Sequence, residues 1–228
     1  MDRSIWLKEI RCRTEEQETL RAPTYDEHWG AIAPLHQQCF ERFLTLCPRQ
    51  GHLLVAACGT GKYWPLILAS GRTVFGIDQS QGALLRAQEK FPNVPSHKVG
   101  LQEMDYHDAF SGAVCMDALE MIAPEDWPPV LRNLSRAIAP KSYLYFTVER
   151  ARELDIRAAF AEGQRLGLPV VYGEAEWLDE GGYCWSQGGC YHYYPEMAQV
   201  KEWVRQAGLQ VIGEQADAEY QHCLVQKA

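Results

Sequence analysis

Two glycines and one aspartate set the chemistry to look for. Gly59 and Gly61 stand in "LLVAACGTGKYWPLIL", where an apolar run passes through a glycine turn into a helical pattern, and Asp78 ends the apolar segment "TVFGID" 19 residues after Gly59. Glycines at such a turn let the backbone approach a ligand, and the following helix points its amide groups at whatever is bound. A carboxylate about 20 residues further on is placed to accept ribose hydroxyls. A phosphate-binding P-loop is excluded, because Gly61 and Lys62 precede Tyr63 rather than Ser or Thr, and position 56 is alanine. A dinucleotide site is disfavoured, since Trp64 fills the place of that fingerprint's third glycine. A nucleoside without a pyrophosphate remains.

The elements that must position these residues alternate along the chain. "LLVAA" (53–57), "TVFGID" (73–78), "FSGAVCMDAL" (110–119) and "SYLYFTVE" (142–149) read as buried strands. "YWPLILAS", "QSQGALLRAQEKF" and "PEDWPPVLRNLSRAIA" read as the helices between and after them. Strand and helix in alternation predict an α/β fold with a doubly wound, Rossmann-like parallel sheet. After residue 150 comes a helix, "RARELDIRAAFAEGQRLG", and then residues 167–195, whose glycines and aromatics break the alternation and predict an insertion over the cleft. The chain resumes with a helix, "EMAQVKEWVRQAG", and two strands, "LQVIGEQADAEY" and "YQHCLVQK", which predict an antiparallel C-terminal hairpin. The expected organisation is one domain over residues 1–228, with an N-terminal helical cap (1–49), a ligand-binding core (50–150) and the cap insertion (167–195). Within the first of these, "YDEHWGAIAPLHQQCFERFL" predicts a helix with a break at Pro34.

Taken in order, "VAACGTGKY", "VFGIDQS", "VGLQEMDY", "VCMDALE" with "PEDWPPVLRNLSRAIAP", and "YLYFTVE" resemble the class I S-adenosylmethionine-dependent methyltransferases, especially the small bacterial type that acts on small molecules. The resemblance covers residues 50–150, and "YHYYP" resembles a segment of some members. It implies a seven-stranded, mostly parallel sheet, S-adenosylmethionine as cofactor, and direct methyl transfer from the sulfonium to an oxygen, nitrogen or carbon acceptor on a small molecule. It places Gly59 and Gly61 against the methionine part, and Ala57 and Cys58 of the same turn are counted among the cofactor-binding residues. It further implies that Asp78 accepts the ribose hydroxyls, Gln79 lies beside the adenine, Leu101 packs on the adenine, Gln102 makes a polar contact to it, and Asp117 faces the methionine end.

Two departures from that family pattern stand out. Where members carry "LDAGCGTG", this chain has Val55 in place of the acidic residue and Ala57 in place of a glycine. A carboxylate near the cofactor's ammonium stabilises the protonated form, so its loss eases deprotonation. One reading is compensation by Asp117 or main-chain carbonyls. Another is a cyclase, in which the amine attacks its own γ-carbon to give azetidine-2-carboxylate and methylthioadenosine. A third is cofactor binding without catalysis.

Methyl transfer to an acidic acceptor needs a general base. His192 in "CYHYYP" is the first candidate, with Glu149 and Glu120 next because the carboxyl ends of strands border the cleft. Candidate substrate-binding aromatics are Tyr25, Trp29, Trp185, Tyr191, Tyr193 and Tyr194, able to wall a flat substrate or set a ring face against a sulfonium.

A net charge of −8 and a pI near 5.4 argue against nucleic acid and anionic lipid as partners and favour a small-molecule substrate. No apolar run approaches the ~18 residues of a membrane span, and the charged N-terminus is unlike a secretory signal, so a cytoplasmic protein is expected, as monomer or homodimer. The eight cysteines include no CxxC pair and read as reduced. Cys184, Cys190 and His192 lie close in sequence but lack a second ligand pair, so no metal is expected.

Overall fold

The expected alternation is realised by five parallel strands, β1 (His52–Ala56), β2 (Thr73–Asp78), β3 (Ser96–Lys98), β4 (Gly112–Cys115) and β5 (Tyr143–Glu149), in a computed structural model that describes residues 1–178, 182, 183, 185 and 189–228. Two further strands, β8 (Leu209–Ala216) and β9 (Tyr220–Lys227), complete a seven-stranded sheet of order β3-β2-β1-β4-β5-β9-β8, in which β9 runs antiparallel to both neighbours. The Rossmann-like sheet and its C-terminal hairpin are therefore as the sequence predicts. The short polar strand β3 escapes pattern reading, because an edge strand of three residues carries no apolar period.

Strands buried on both faces must be apolar, and β4 and, beyond its exposed first residue His52, β1 are. Successive side chains of β1 enter opposite layers. Leu54 and Ala56 join a core with Trp127, Leu131 and Trp203, while Leu53 and Val55 join one with Phe40, Phe43 and Trp64. The first layer is closed by α6 (Trp127–Ala137) and α8 (Met197–Gln206), the second by α3 (Pro34–Leu46), α4 (Trp64–Ala69) and α5 (Gln81–Lys90). Each fully buried Leu or Phe contributes about 1.5–3 kcal/mol.

The N-terminal segment forms α1 (Arg3–Arg21), started by Asp2, whose carboxylate accepts from the backbone N–H of Ser4 and Ile5, and then α2 (Tyr25–Trp29). Pro34 stands in the first turn of α3, where its missing N–H costs nothing. After α7 (Glu153–Arg165), the insertion folds as the antiparallel pair β6 (Glu174–Trp177) and β7 (Cys190–Tyr193). Helix α1 straps this pair to the body. The Arg3 guanidinium donates to Glu174 (2.7 Å) and Glu125 (2.5 Å), and the Tyr191 hydroxyl donates to the same fully buried Glu174 (2.6 Å). No helix among the described residues is long and apolar enough to cross a membrane.

Candidate active site

Ala57, Asp78, Asp117 and Glu149 all stand at or just beyond the carboxyl ends of β1, β2, β4 and β5, on the rim where open α/β sheets bind ligands. They line one cavity of about 580 Å³. Helices α1 and α2 roof it, and the insertion contributes Trp177 and His192.

One end of the cavity is a cradle. Gly59 adopts φ +53°, faces open space, and donates its N–H to Asp78 Oδ2 (2.7 Å). Ser80, the N-cap of α5, donates its N–H to Asp78 Oδ1 (2.8 Å). The carboxylate thus ties two loops together while each oxygen keeps lone pairs for a ligand. Burial pushes the Asp78 pKa up, and these N–H groups oppose it. Gln79, Leu101 and Gln102 line the same end. Gln102 donates its side-chain amide to Asp126 (3.1 Å), and Asn133 holds the Leu101 and Gln102 carbonyls (3.0 and 3.1 Å).

Gly61 sits beneath the turn. It is not among the lining residues; at φ +82° it lies under the Trp64 ring, which a Cβ there would approach to 3.0 Å. The Trp64 indole also presses on Gly76 and Phe91. The large side chain that disfavours a dinucleotide is therefore the floor of the turn. Cys58 is buried beside it, also borders the cavity, and gives its N–H to Ile77.

Asp117 forms a polar corner that pattern reading grasped only in part. Its carboxylate accepts from Tyr63 (2.7 Å), His36 (3.1 Å) and Lys62 (3.2 Å), three residues that were not among the candidate site residues. Burial alone would raise its pKa, but the His36 bond, the Lys62 charge and the Tyr63 bond outweigh it and hold the carboxyl at about 2. Val55 has no part in this corner. It is buried in the α3-side core and does not line the cavity.

At the other side, the three candidate catalytic residues share the wall. His192 donates Nδ1–H to Glu149 Oε2 (2.5 Å), with the Tyr194 hydroxyl 3.0 Å from the same nitrogen and the Trp177 ring stacked on the imidazole. A carboxylate can only accept, so the proton sits on Nδ1 and the Nε2 lone pair is left for a substrate. Glu120 is almost wholly buried, and its Oε2 has no hydrogen-bond partner. Burial, reinforced by the charges of Glu149 and Asp117, pushes its pKa well up and favours a protonated carboxyl.

The candidate aromatics divide. Tyr25 and Trp29 line the cavity with their rings 5.5 Å apart, and α2 is pinned over the glycine turn by the Thr60 hydroxyl donating to Asp26 (2.6 Å). Trp185, Tyr191, Tyr193 and Tyr194 do not line it. Trp185 and Tyr191 pack with Trp6 in a satellite core, Tyr193 packs against that cluster, and Tyr194 joins Ile156 and Ala175 in another. For Tyr191 and Tyr193 the reason is strand alternation, since His192 between them on β7 faces the cleft. Of the weighed metal ligands, Cys184 lies outside the described residues, Cys190 is buried and contacts Arg21, and His192 is engaged by Glu149.

An open α/β sheet with a glycine turn, a strand-end aspartate and a cleft over its carboxyl edge defines the class of nucleoside-cofactor enzymes. The profile of a methyltransferase-domain family matches residues 29–214, and the chain belongs to that family. It is 31% identical over 98 residues to the dTDP-4-amino-2,3,4,6-tetradeoxy-D-glucose N,N-dimethyltransferase of Saccharopolyspora spinosa, a match spanning 42% of this chain and only 39% of that relative. The fold is shared with the 1,6-didemethyltoxoflavin-N1-methyltransferase of Burkholderia thailandensis, solved with bound 1,6-didemethyltoxoflavin and S-adenosylhomocysteine (TM-score 0.69, 15% identity, 97% of this chain and 90% of that one). It is shared too with an S-adenosylmethionine-dependent methyltransferase of Methanosarcina mazei (TM-score 0.68, 14% identity, 86% and 98% covered).

Proposed function

We propose that this protein is an S-adenosylmethionine-dependent methyltransferase that methylates nitrogen on a small amine. The observation that carries the reading is the Glu149–His192 pair on the wall of the cavity whose far end holds the Gly59–Asp78 cradle. The residues fit the cofactor. The cleft beside Gly59 is open, Asp78 has lone pairs to spare for two hydroxyls, and the cavity volume is that of a ligand pocket. When bound, the cofactor supplies a methyl group already activated on a sulfonium.

The protein's task is then alignment, exclusion of water and handling of one proton. His192 Nε2 takes the proton from the acceptor's ammonium, which exposes the nitrogen lone pair. Glu149 holds the imidazole in the correct tautomer and offsets the charge that forms on it, in the manner of a base with its orienting carboxylate. Protonated Glu120 can donate to a lone pair of the substrate without adding negative charge. Tyr25 and Trp29 close the roof. The amine acceptor is in keeping with the name of the Saccharopolyspora relative.

The test is to incubate the protein with S-adenosylmethionine and matched pairs of small amines and their hydroxyl analogues, following S-adenosylhomocysteine and methylated product by mass spectrometry. Turnover with amines is expected. Turnover with hydroxyl partners alone refutes the nitrogen acceptor, and no binding of S-adenosylhomocysteine refutes the cofactor. Methylthioadenosine formed without any acceptor would instead establish cyclisation.

A further inference from the structure

At the cavity wall, which His36 itself lines, three side chains that the proposed reaction does not use converge from distant parts of the chain: His36 on α3, Asp217 in the turn after β8, and His222 on β9. One ring nitrogen of each histidine and a carboxylate oxygen of Asp217 lie within 4.8 Å of one another. His222 Nε2 is 3.6 Å from Asp217 Oδ2, and the two rings meet edge to face with centroids 4.6 Å apart.

The hydrogen bonding of this cluster is incomplete on its inner side alone. His36 and His222 are 4% and 2% exposed, yet His36 Nδ1 and His222 Nε2 have no hydrogen-bond partner. A buried polar atom left without a partner is costly, which makes a ligand for these two nitrogens favourable. The opposite nitrogens are both engaged: His36 Nε2 donates to Asp117 Oδ1 (3.1 Å), and His222 Nδ1 lies 2.8 Å from the Tyr145 hydroxyl. A carboxylate or hydroxyl behind each imidazole, with the other nitrogen left over, is how proteins orient histidines that ligate metals. Asp217 is prepared in the same sense. Its Oδ1 accepts the backbone N–H of Glu219 (2.9 Å) and Tyr220 (2.7 Å), which fixes the side chain while Oδ2 stays on the histidine side.

The geometry points to a site for a divalent transition-metal ion of zinc's class, held by His36 Nδ1, His222 Nε2 and Asp217 Oδ2. Two imidazoles and a carboxylate suit such an ion rather than calcium or magnesium. Donors on a tetrahedral ion at 2.0–2.1 Å stand about 3.3 Å apart, so side-chain shifts of about 1 Å complete the site. Its position gives it a role in the wall of the cavity. A cation here locks the His36 N–H onto Asp117 and stiffens the Glu219–Tyr220 turn, and all four of these residues line the cleft. These histidines are positioning residues, one imidazole removed from the ligand.

Metal-stripped full-length protein titrated with Co²⁺ tests this independently of any activity. One equivalent per chain is expected, giving the intensified visible bands of low-coordinate Co²⁺ without the charge-transfer absorption that thiolates add, and Zn²⁺ should displace it and raise the unfolding temperature. Asp217→Asn keeps the acceptor for the turn while removing the ligating oxygen, and it should weaken Co²⁺ about tenfold or more, as should His222→Gln. Cys12→Ser, at an exposed thiol, should change nothing. Failure of the wild type to bind, thiolate bands, or equal binding by Asp217→Asn overturns the site, leaving water or plain ring packing between the histidines. Should His222→Gln not fold, Asp217→Asn alone decides.

Discussion

Glu149, at the end of β5, and His192, in the middle strand position of the insertion, meet at 2.5 Å although 43 residues separate them in the chain. The contact makes the insertion part of the site. His192→Gln should slow turnover by about 10²–10⁴-fold with S-adenosylhomocysteine affinity unchanged, as removal of a general base does. Glu149→Gln should fall between the two. Single-turnover kinetics with calorimetric binding separates these effects, and an unchanged rate in His192→Gln would reduce the histidine to packing beneath Trp177.

Asp78→Ala removes the acceptor of two loop N–H groups as well as the ribose partner. Binding of S-adenosylhomocysteine should drop by at least about tenfold, and the fold should lose about 1–3 kcal/mol from the orphaned donors. Isothermal calorimetry and urea unfolding on the same variant read both; a loss of stability with full affinity would show that Asp78 is only the clamp between the Gly59 and Ser80 loops.

Ala57 adopts φ +53°, in the left-handed region that costs a residue with a Cβ about 1–2 kcal/mol. Ala57→Gly relieves this strain, partly offset by the greater entropy glycine loses on folding. A net gain of about 0.5–1 kcal/mol is expected, a rise of about 1–4 °C in unfolding temperature for a chain of this size.

Val55→Asp restores the residue type that the family pattern carries, but in this fold it buries a carboxylate among Phe40, Phe43 and Trp64. The expected result is a protein destabilised by several kcal/mol. Stable protein with tighter S-adenosylmethionine binding, measured by calorimetry, would put the side chain in the cleft after all.

Glu120 predicts a pH dependence with a definite sign. Its folded pKa lies above the ordinary value of 4.5, because burial, then Glu149 and Asp117, disfavour the charged form. Between the unfolded and folded values the native state holds the extra proton, so the stabilising contribution is complete below about 4.5 and fades as pH rises through the folded pKa. Glu120→Gln should flatten this slope. Unfolding temperatures of both proteins from pH 4 upward provide the check.

The glycine turn, Asp78 and the strand-end Glu149 were legible because their signals are local: an apolar run, a turn residue and a carboxylate at fixed spacing. His36, Lys62 and Tyr63 around Asp117 were not, since a helix, a turn and a strand end meet only when the sheet is assembled. The same limit applied to the "YHYYP" segment, where the pattern set His192 and all three tyrosines at the cleft. Register with β6, which sets Ala175 opposite His192, turns that histidine toward the cleft and the flanking tyrosines into satellite cores.

The amino-acid sequence by itself determined the alternation of the central strands and helices, the place of the glycine turn and the family, because periodicity and turn chemistry act over a few residues. Tertiary structure alone decided which side chains face the cavity. Direction on a strand alternates with every residue, so whether Val55 or His192 sees solvent, core or ligand depends on how the layers on each face of the sheet are packed.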